Sequence, residues 1–128
     1  MNFILYIKYT EEQDFQYHNA FLETIDIKKI PADFLDLDNF SAPDLFESAL
    51  KALQQSDKCC VIIDVHANKE LSAFYKIIYY MIDNPGKCLV FLNGDHPNLE
   101  KILGSEPSIF NKDKTGTEIQ NRIISFLK

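Results

Sequence analysis

Two apolar segments in the middle of the chain each run straight into polar, titratable residues. Cys59-Cys60-Val61-Ile62-Ile63 leads into Asp64-Val65-His66, and Cys88-Leu89-Val90-Phe91-Leu92 leads into Asn93-Gly94-Asp95-His96. Apolar runs with no polar alternation have no face to offer water, so both read as strands buried on two sides. The residues between them carry a helical period. Strand, helix and strand in that order make a parallel unit whose faces must be covered by helices. In open α/β sheets ligands gather beyond the carboxyl ends of the strands. Asp64, His66, Asp95 and His96 stand there and are the candidate catalytic residues, with Asp64 also the candidate metal ligand.

The same alternation extends along the chain, giving five strand-then-helix units without a linker or a low-complexity stretch. Strand one is expected over Phe3 to Tyr9. Thr10 with Gln13 forms a capping box for a helix with Phe15, His18, Phe21 and Leu22 on one face. Strand two has two candidates, Ile25 to Ile30 and, beyond Pro31, the segment holding Phe34, Leu35 and Leu37. If both pair, residues 25–38 form a hairpin and the sheet is mixed. Ser41 with Asp44 is expected to cap a helix burying Leu45, Phe46, Ala49, Leu50 and Leu53. Strand three is Cys59 to Val65, followed by a long helix opening at Asn68 and ending before Pro85. Strand four is Lys87 to Leu92, and Asp95 with Pro97 starts a short helix that stops at Gly104. Ser108 to Phe110 is a short fifth strand. Thr117 with Gln120 caps a last helix burying Ile119, Ile123, Phe126 and Leu127. At 128 residues, the natural architecture is a single domain over 1–128: a doubly wound, flavodoxin-like three-layer α/β fold, mostly parallel, in strand order 2-1-3-4-5. In that order Asp64 lies beside the turn Lys8–Glu12.

Several function classes are disfavoured by composition. Residues 1–64 carry five lysines against twelve acids, a net of −7, while residues 65–128 carry +1, which together make the −6 of the whole chain. The only arginine is Arg122, so the clustered cations that bind a nucleic-acid backbone are missing and no nucleic-acid partner is expected. Asp33, Asp36, Asp38, Asp44 and Glu47 read as a solvated acidic stretch. The longest apolar run, Ile77 to Ile82, is six residues, far short of the roughly 18 needed to span a membrane. Phe3 to Ile7 suits a strand better than a signal peptide. With an odd number of cysteines at unpatterned spacing, a cytoplasmic location is the expectation.

No glycine precedes Gly86. A phosphate-cradling loop needs glycines at the first strand–helix turn, where backbone amides must approach the anion. Here that turn reads Lys8-Tyr9-Thr10-Glu11-Glu12, with two carboxylates that repel phosphate. Neither a Walker loop nor a dinucleotide fingerprint is present, and no cofactor is expected. No serine sits in a Gly-x-Ser-x-Gly elbow. Cys59, Cys60 and Cys88 open strands three and four at the opposite edge of the sheet and read as small buried fillers.

The four residues at the strand ends could bind a divalent cation, or set a general base beside an orienting acid. Their spacings match no strict ligand motif. Asp95 precedes a helix, the position N-capping alone selects, which leaves His96 at the first, solvent-facing helical position. Asp64 at the end of strand three, with Lys112 just after the fifth strand, resembles the receiver domains of two-component signalling. The resemblance implies that Asp64 is a phosphoryl acceptor and that Lys112 contacts the phosphate. Receivers end strand one with an acidic pair that holds Mg²⁺, and here Lys8-Tyr9 stands in that place. Asn93 replaces their hydroxyl residue after strand four, and Asp113 replaces the proline after the lysine.

The expected helix Lys69–Asp83 carries two apolar stripes. Leu71, Phe74, Tyr75, Ile78, Met81 and Ile82 are spaced for the core, and Ala73, Ile77 and Tyr80 form a second stripe suited to another subunit. The leading expectation is therefore a non-catalytic regulatory or protein-interaction module with a protein partner or a second copy, a homodimer through Ala73, Ile77 and Tyr80. The competing expectations are a small metal- or acid/base-dependent enzyme with its site at the ends of strands three and four, and a degenerate receiver-like domain.

Overall fold

Strands β1 (Phe3–Tyr9), β2 (Asp33–Asp38), β3 (Cys59–Val65), β4 (Cys88–Asn93) and β5 (Phe110–Lys112) hydrogen-bond side by side, all parallel, in the order β2-β1-β3-β4-β5. The computed structural model describes residues 1–11 and 30–127. Among these, four α-helices connect or follow the strands: α1 (Pro43–Gln55), α2 (Tyr75–Asp83), α3 (Pro97–Leu103) and α4 (Gly116–Leu127). This is the doubly wound, flavodoxin-like arrangement expected from the apolar runs. Side-chain alternation along each strand builds two cores. Leu5, Ile7, Val61, Ile63, Val90 and Leu92 meet Phe46 and Leu53 of α1, Ile77, Ile78 and Met81 of α2, and Leu99 and Leu103 of α3. On the other face Ile4, Tyr6, Cys60, Ile62, Leu89 and Phe91 meet Ile119, Ile123 and Leu127 of α4. Asp64, two residues beyond Ile62, belongs to the α4 face.

The second of the two candidate segments is β2, paired parallel with β1 from Phe3↔Asp33 to Lys8↔Asp38. The rival segment up to residue 29, and the first helix with its Thr10–Gln13 box, lie outside the described residues. Three helix caps differ from the sequence reading. The N-cap of α1 is Ala42, because the Ser41 hydroxyl is turned back to accept from Asp38 N at 3.0 Å. The box at α4 is Thr115 with Glu118, in reciprocal bonds of 3.2 Å, two residues before the expected pair. The N-cap of α3 is His96, not Asp95. β5 also starts two residues later than expected, since Ile109 N and Phe110 N are held in turn bonds to Glu106 O and Pro107 O.

The largest departure concerns α2. It does not open at Asn68, because His66 N and Ala67 N both donate to Tyr9 O, at 2.8 and 3.2 Å. A 3₁₀ turn over Ser72–Phe74 then leads into the α-helix. A three-residue turn shifts the helical phase relative to one continuous α-helix. Tyr75, expected in the core, is exposed, whereas Ile77 is 0% exposed and packs inward. In α1 the inward spacing Phe46, Ala49, Leu53 likewise leaves Leu45 on the surface. Gly94 closes β4 with a φ of 95°, and a Cβ there would lie 2.3 Å from the carbonyl oxygen of Val65. Only glycine lets the β4–α3 turn pass this close to the end of β3.

Candidate functional site

Register brings the carboxyl ends of three strands together. Lys8 of β1 and Asn93 of β4 are the paired neighbours of Asp64. Asp64 is 3% exposed, and a buried carboxylate is costly unless hydrogen-bonded. Its Oδ2 accepts from the Tyr6 hydroxyl at 2.7 Å and from His66 Nε2 at 3.0 Å. Tyr6 reaches it because β1 and β3 lie side by side and Tyr6 is on the same face, two residues back along β1 from Lys8. A carboxylate can only accept, so a hydrogen bond from the imidazole to ionised Asp64 requires the Nε2–H tautomer, which leaves Nδ1 as the acceptor nitrogen of a neutral ring. The His66 side chain is 55% exposed while that of Asp64 is 5% exposed. A buried acid thus orients an exposed imidazole, the arrangement that a general base requires.

The other two candidates do not join them. His96 is 1% exposed and packs its ring against Tyr9, centroids 5.8 Å apart. Tyr9 belongs to the opposite core from Tyr6, so the two histidines lie on opposite sides of the sheet. Both nitrogens of His96 serve the backbone: Nδ1 accepts from Leu99 N at 3.3 Å and Nε2 donates to Lys69 O at 2.7 Å. That imidazole locks the β3–α2 loop to the start of α3. Asp95 is solvent-exposed and pairs with Lys112 Nζ at 3.0 Å. The expected metal or acid/base quartet is two unrelated pairs, Asp64 with His66 and Asp95 with Lys112.

Lys112 is paired in register with Leu92, which puts its side chain on the face opposite Asp64. Its ammonium contacts Gly94 O at 3.0 Å and Asp113 Oδ2 at 2.8 Å, with Glu100 at 3.7 Å. The carboxylates raise the Lys112 pKa, the hydrogen bonds to Asp113 and Asp95 contributing most and the charge of Glu100 least. The reciprocal contact, with Gly94 N donating at 3.0 Å, holds Asp113 below the usual carboxylate range. The residues therefore do not fit the Mg²⁺-dependent phosphoryl site of a receiver. Lys8 occupies the register position beside Asp64, the Asp64 oxygen is committed to Tyr6 and His66, and Lys112 is turned away. Among the described residues no group of three or more His, Cys, Asp or Glu side chains could hold a metal ion.

Two tyrosines on β1 were not among the sequence candidates. Tyr6 reads as one more apolar strand residue, and only the pairing of β1 with β3 reveals it as a hydrogen-bond donor. The Tyr9 hydroxyl is buried and has no hydrogen-bond partner among the described residues. Burial, with a smaller contribution from Tyr75, pushes its pKa far up.

The expected interface stripe is also redistributed. Ile77 is in the core, and half-buried Tyr80 is engaged by Lys87, whose Nζ donates to its hydroxyl at 2.7 Å. Ala73 packs against the core. The exposed aromatic face of α2 is instead Tyr75 and Tyr79, stacked with centroids 6.3 Å apart and planes 20° apart. They border a groove of about 450 Å³ between α2 and α3, lined also by Ile82, Asn98, Lys101, Ile102 and Ser105. No helix among the described residues is long and apolar enough to cross a membrane. In sequence comparison, no protein-family profile and no curated protein matches this chain.

Proposed function

We propose that this chain is a non-catalytic regulatory or protein-interaction module that self-associates through the face formed by α2 and α3. The observation that carries the reading is the exposed Tyr75–Tyr79 stack beside the α2–α3 groove. Tyr79 is 53% exposed, and a stacked tyrosine pair offers a large area with polar tips, the composition of an interface core. Lys101 in the same groove belongs to the half of the chain that carries +1, against −7 for residues 1–64. The experiment is light scattering coupled to size exclusion over a concentration series. Self-association predicts a mass near twice the 14.8 kDa of one chain, reverting to one chain in Tyr79→Glu. A single-chain mass at every concentration removes it.

The Asp64–His66 contact favours a second reading, a small acid/base enzyme with His66 as the base, Asp64 as its orienting acid and Tyr6 as a positioning residue. It predicts a proton-transfer or hydrolytic activity that is lost in His66→Gln and kept in Tyr79→Glu. Activity surviving in His66→Gln would remove it.

A further inference from the structure

At the amino edge of the sheet, β3 and β4 each begin with cysteine, and the register pairs Cys59 directly with Cys88. Their sulfurs are 3.0 Å apart in a buried contact. Cys60 points to the other core and takes no part. Neighbouring strands lie about 4.8 Å apart, inside the window of Cα separations that a disulfide bridges. The two sulfurs share one hydrogen bond that either can donate. When Cys59 accepts it, that contact, assisted by the Lys87 ammonium, lowers the Cys59 pKa against the opposing effect of burial. The same contact pushes Cys88 up.

We propose that Cys59 and Cys88 form a redox pair that a small peroxide oxidises to an intramolecular disulfide. The Cys59 thiolate attacks a peroxide oxygen, the O–O bond breaks and a sulfenic acid forms at Cys59, while the departing hydroxide or alkoxide takes up the proton that the Cys59 thiol gave up and leaves as water or alcohol. The Cys88 sulfur then attacks the Cys59 sulfur. The S–S bond forms, the S–O bond breaks, and the departing hydroxide takes the Cys88 proton as water. Two thiols are oxidised by two electrons and one peroxide is reduced. Burial of both sulfurs restricts the reaction to small oxidants and keeps bulky disulfides out. The bridge would close a loop containing Asp64, His66, Tyr75 and Tyr79, tying the β3–α2–β4 unit at its base.

The test is mass spectrometry of the native chain after hydrogen peroxide, with thiols counted in denaturant. The three free thiols should fall to one, with a mass lower by about 2 Da that dithiothreitol restores and a peptide map linking Cys59 to Cys88. Cys60→Ala should still lose two thiols. In Cys88→Ala the reaction should stop at a sulfenic acid on Cys59, captured by dimedone present as the peroxide-treated chain is unfolded in denaturant. Retention of all three thiols in native wild type, a bridge that uses Cys60, or overoxidation of Cys59 with Cys88 left reduced would each overturn the proposal.

Discussion

Replacing Tyr6 with phenylalanine tests whether the buried Asp64 carboxylate is held as an ionised acceptor. The substitution leaves the ring in the apolar core on the α4 face, so no cavity opens, and deletes the hydroxyl that reaches Asp64 Oδ2 at 2.7 Å. A hydrogen bond to a charged group contributes about 1.5–3 kcal/mol, and here the carboxylate is too deeply placed to recruit bulk water in exchange. His66 alone remains on Oδ2 among the partners identified. Tyr6→Phe should therefore lower the unfolding free energy at pH 7 by about 1.5–3 kcal/mol, or roughly 5–10 °C in Tm for a chain of this size. Asp64→Asn removes the charge and weakens the same contact, so the double variant should be less destabilised than the sum of the two. A coupling of about 1–2 kcal/mol is expected. Urea unfolding of the four proteins of the cycle gives the value, with an unchanged m-value showing that the same surface is exposed in each. A Tyr6→Phe variant within about 0.5 kcal/mol of wild type, or strict additivity, would refute the charge-assisted contact.

Two further outcomes follow from other parts of the molecule. His96→Ala removes the cap acceptor of α3, the bond to Lys69 O and a ring packed on Tyr9, and should cost about 2–4 kcal/mol in chemical denaturation. His96→Asn restores a cap acceptor and should recover about 1 kcal/mol, whereas equal losses in both variants would exclude the capping role. Asp36 on β2 has its pKa raised, first by burial and then by Asp38. A folded-state pKa above the unfolded value means that ionising Asp36 costs stability as pH rises through the folded value. Asp36→Asn should thus stabilise the chain at pH 7 by a few tenths of a kcal/mol, discounted for screening at a partly exposed site. The gain should disappear below the unfolded-state pKa of about 3.9, and a gain persisting at pH 3 in thermal unfolding would contradict this sign.

What could be read from residue order separates cleanly from what could not. Parallel strands buried on both sides announce themselves, since Val61-Ile62-Ile63 and Leu89-Val90-Phe91 leave no polar face to misplace, and the strand order follows from short crossovers. Asp64 was legible for the same reason, as an acid where an apolar run stops. Its partner Tyr6 was not, because it lies 58 residues away and is tyrosine in a strand whose other residues are read for their apolar surface. Which side of the sheet a residue takes was lost wherever local rules compete. Asp95 and His96 both suit a cap, and the buried imidazole takes the role because Lys69 O waits for its other nitrogen. The phase of α2 was lost at the 3₁₀ turn, and with it the identity of the exposed stripe. These two features have a joint consequence for function. Residues adjacent in sequence at the strand ends need not share a face, since the sheet itself separates His96 from His66. A candidate site inferred by counting titratable residues at strand ends is therefore twice as large as the chemistry that can act together. What survives of the quartet is one oriented pair, Asp64 and His66, and any acid/base role must be argued from those two side chains and the Tyr6 hydroxyl that steadies them.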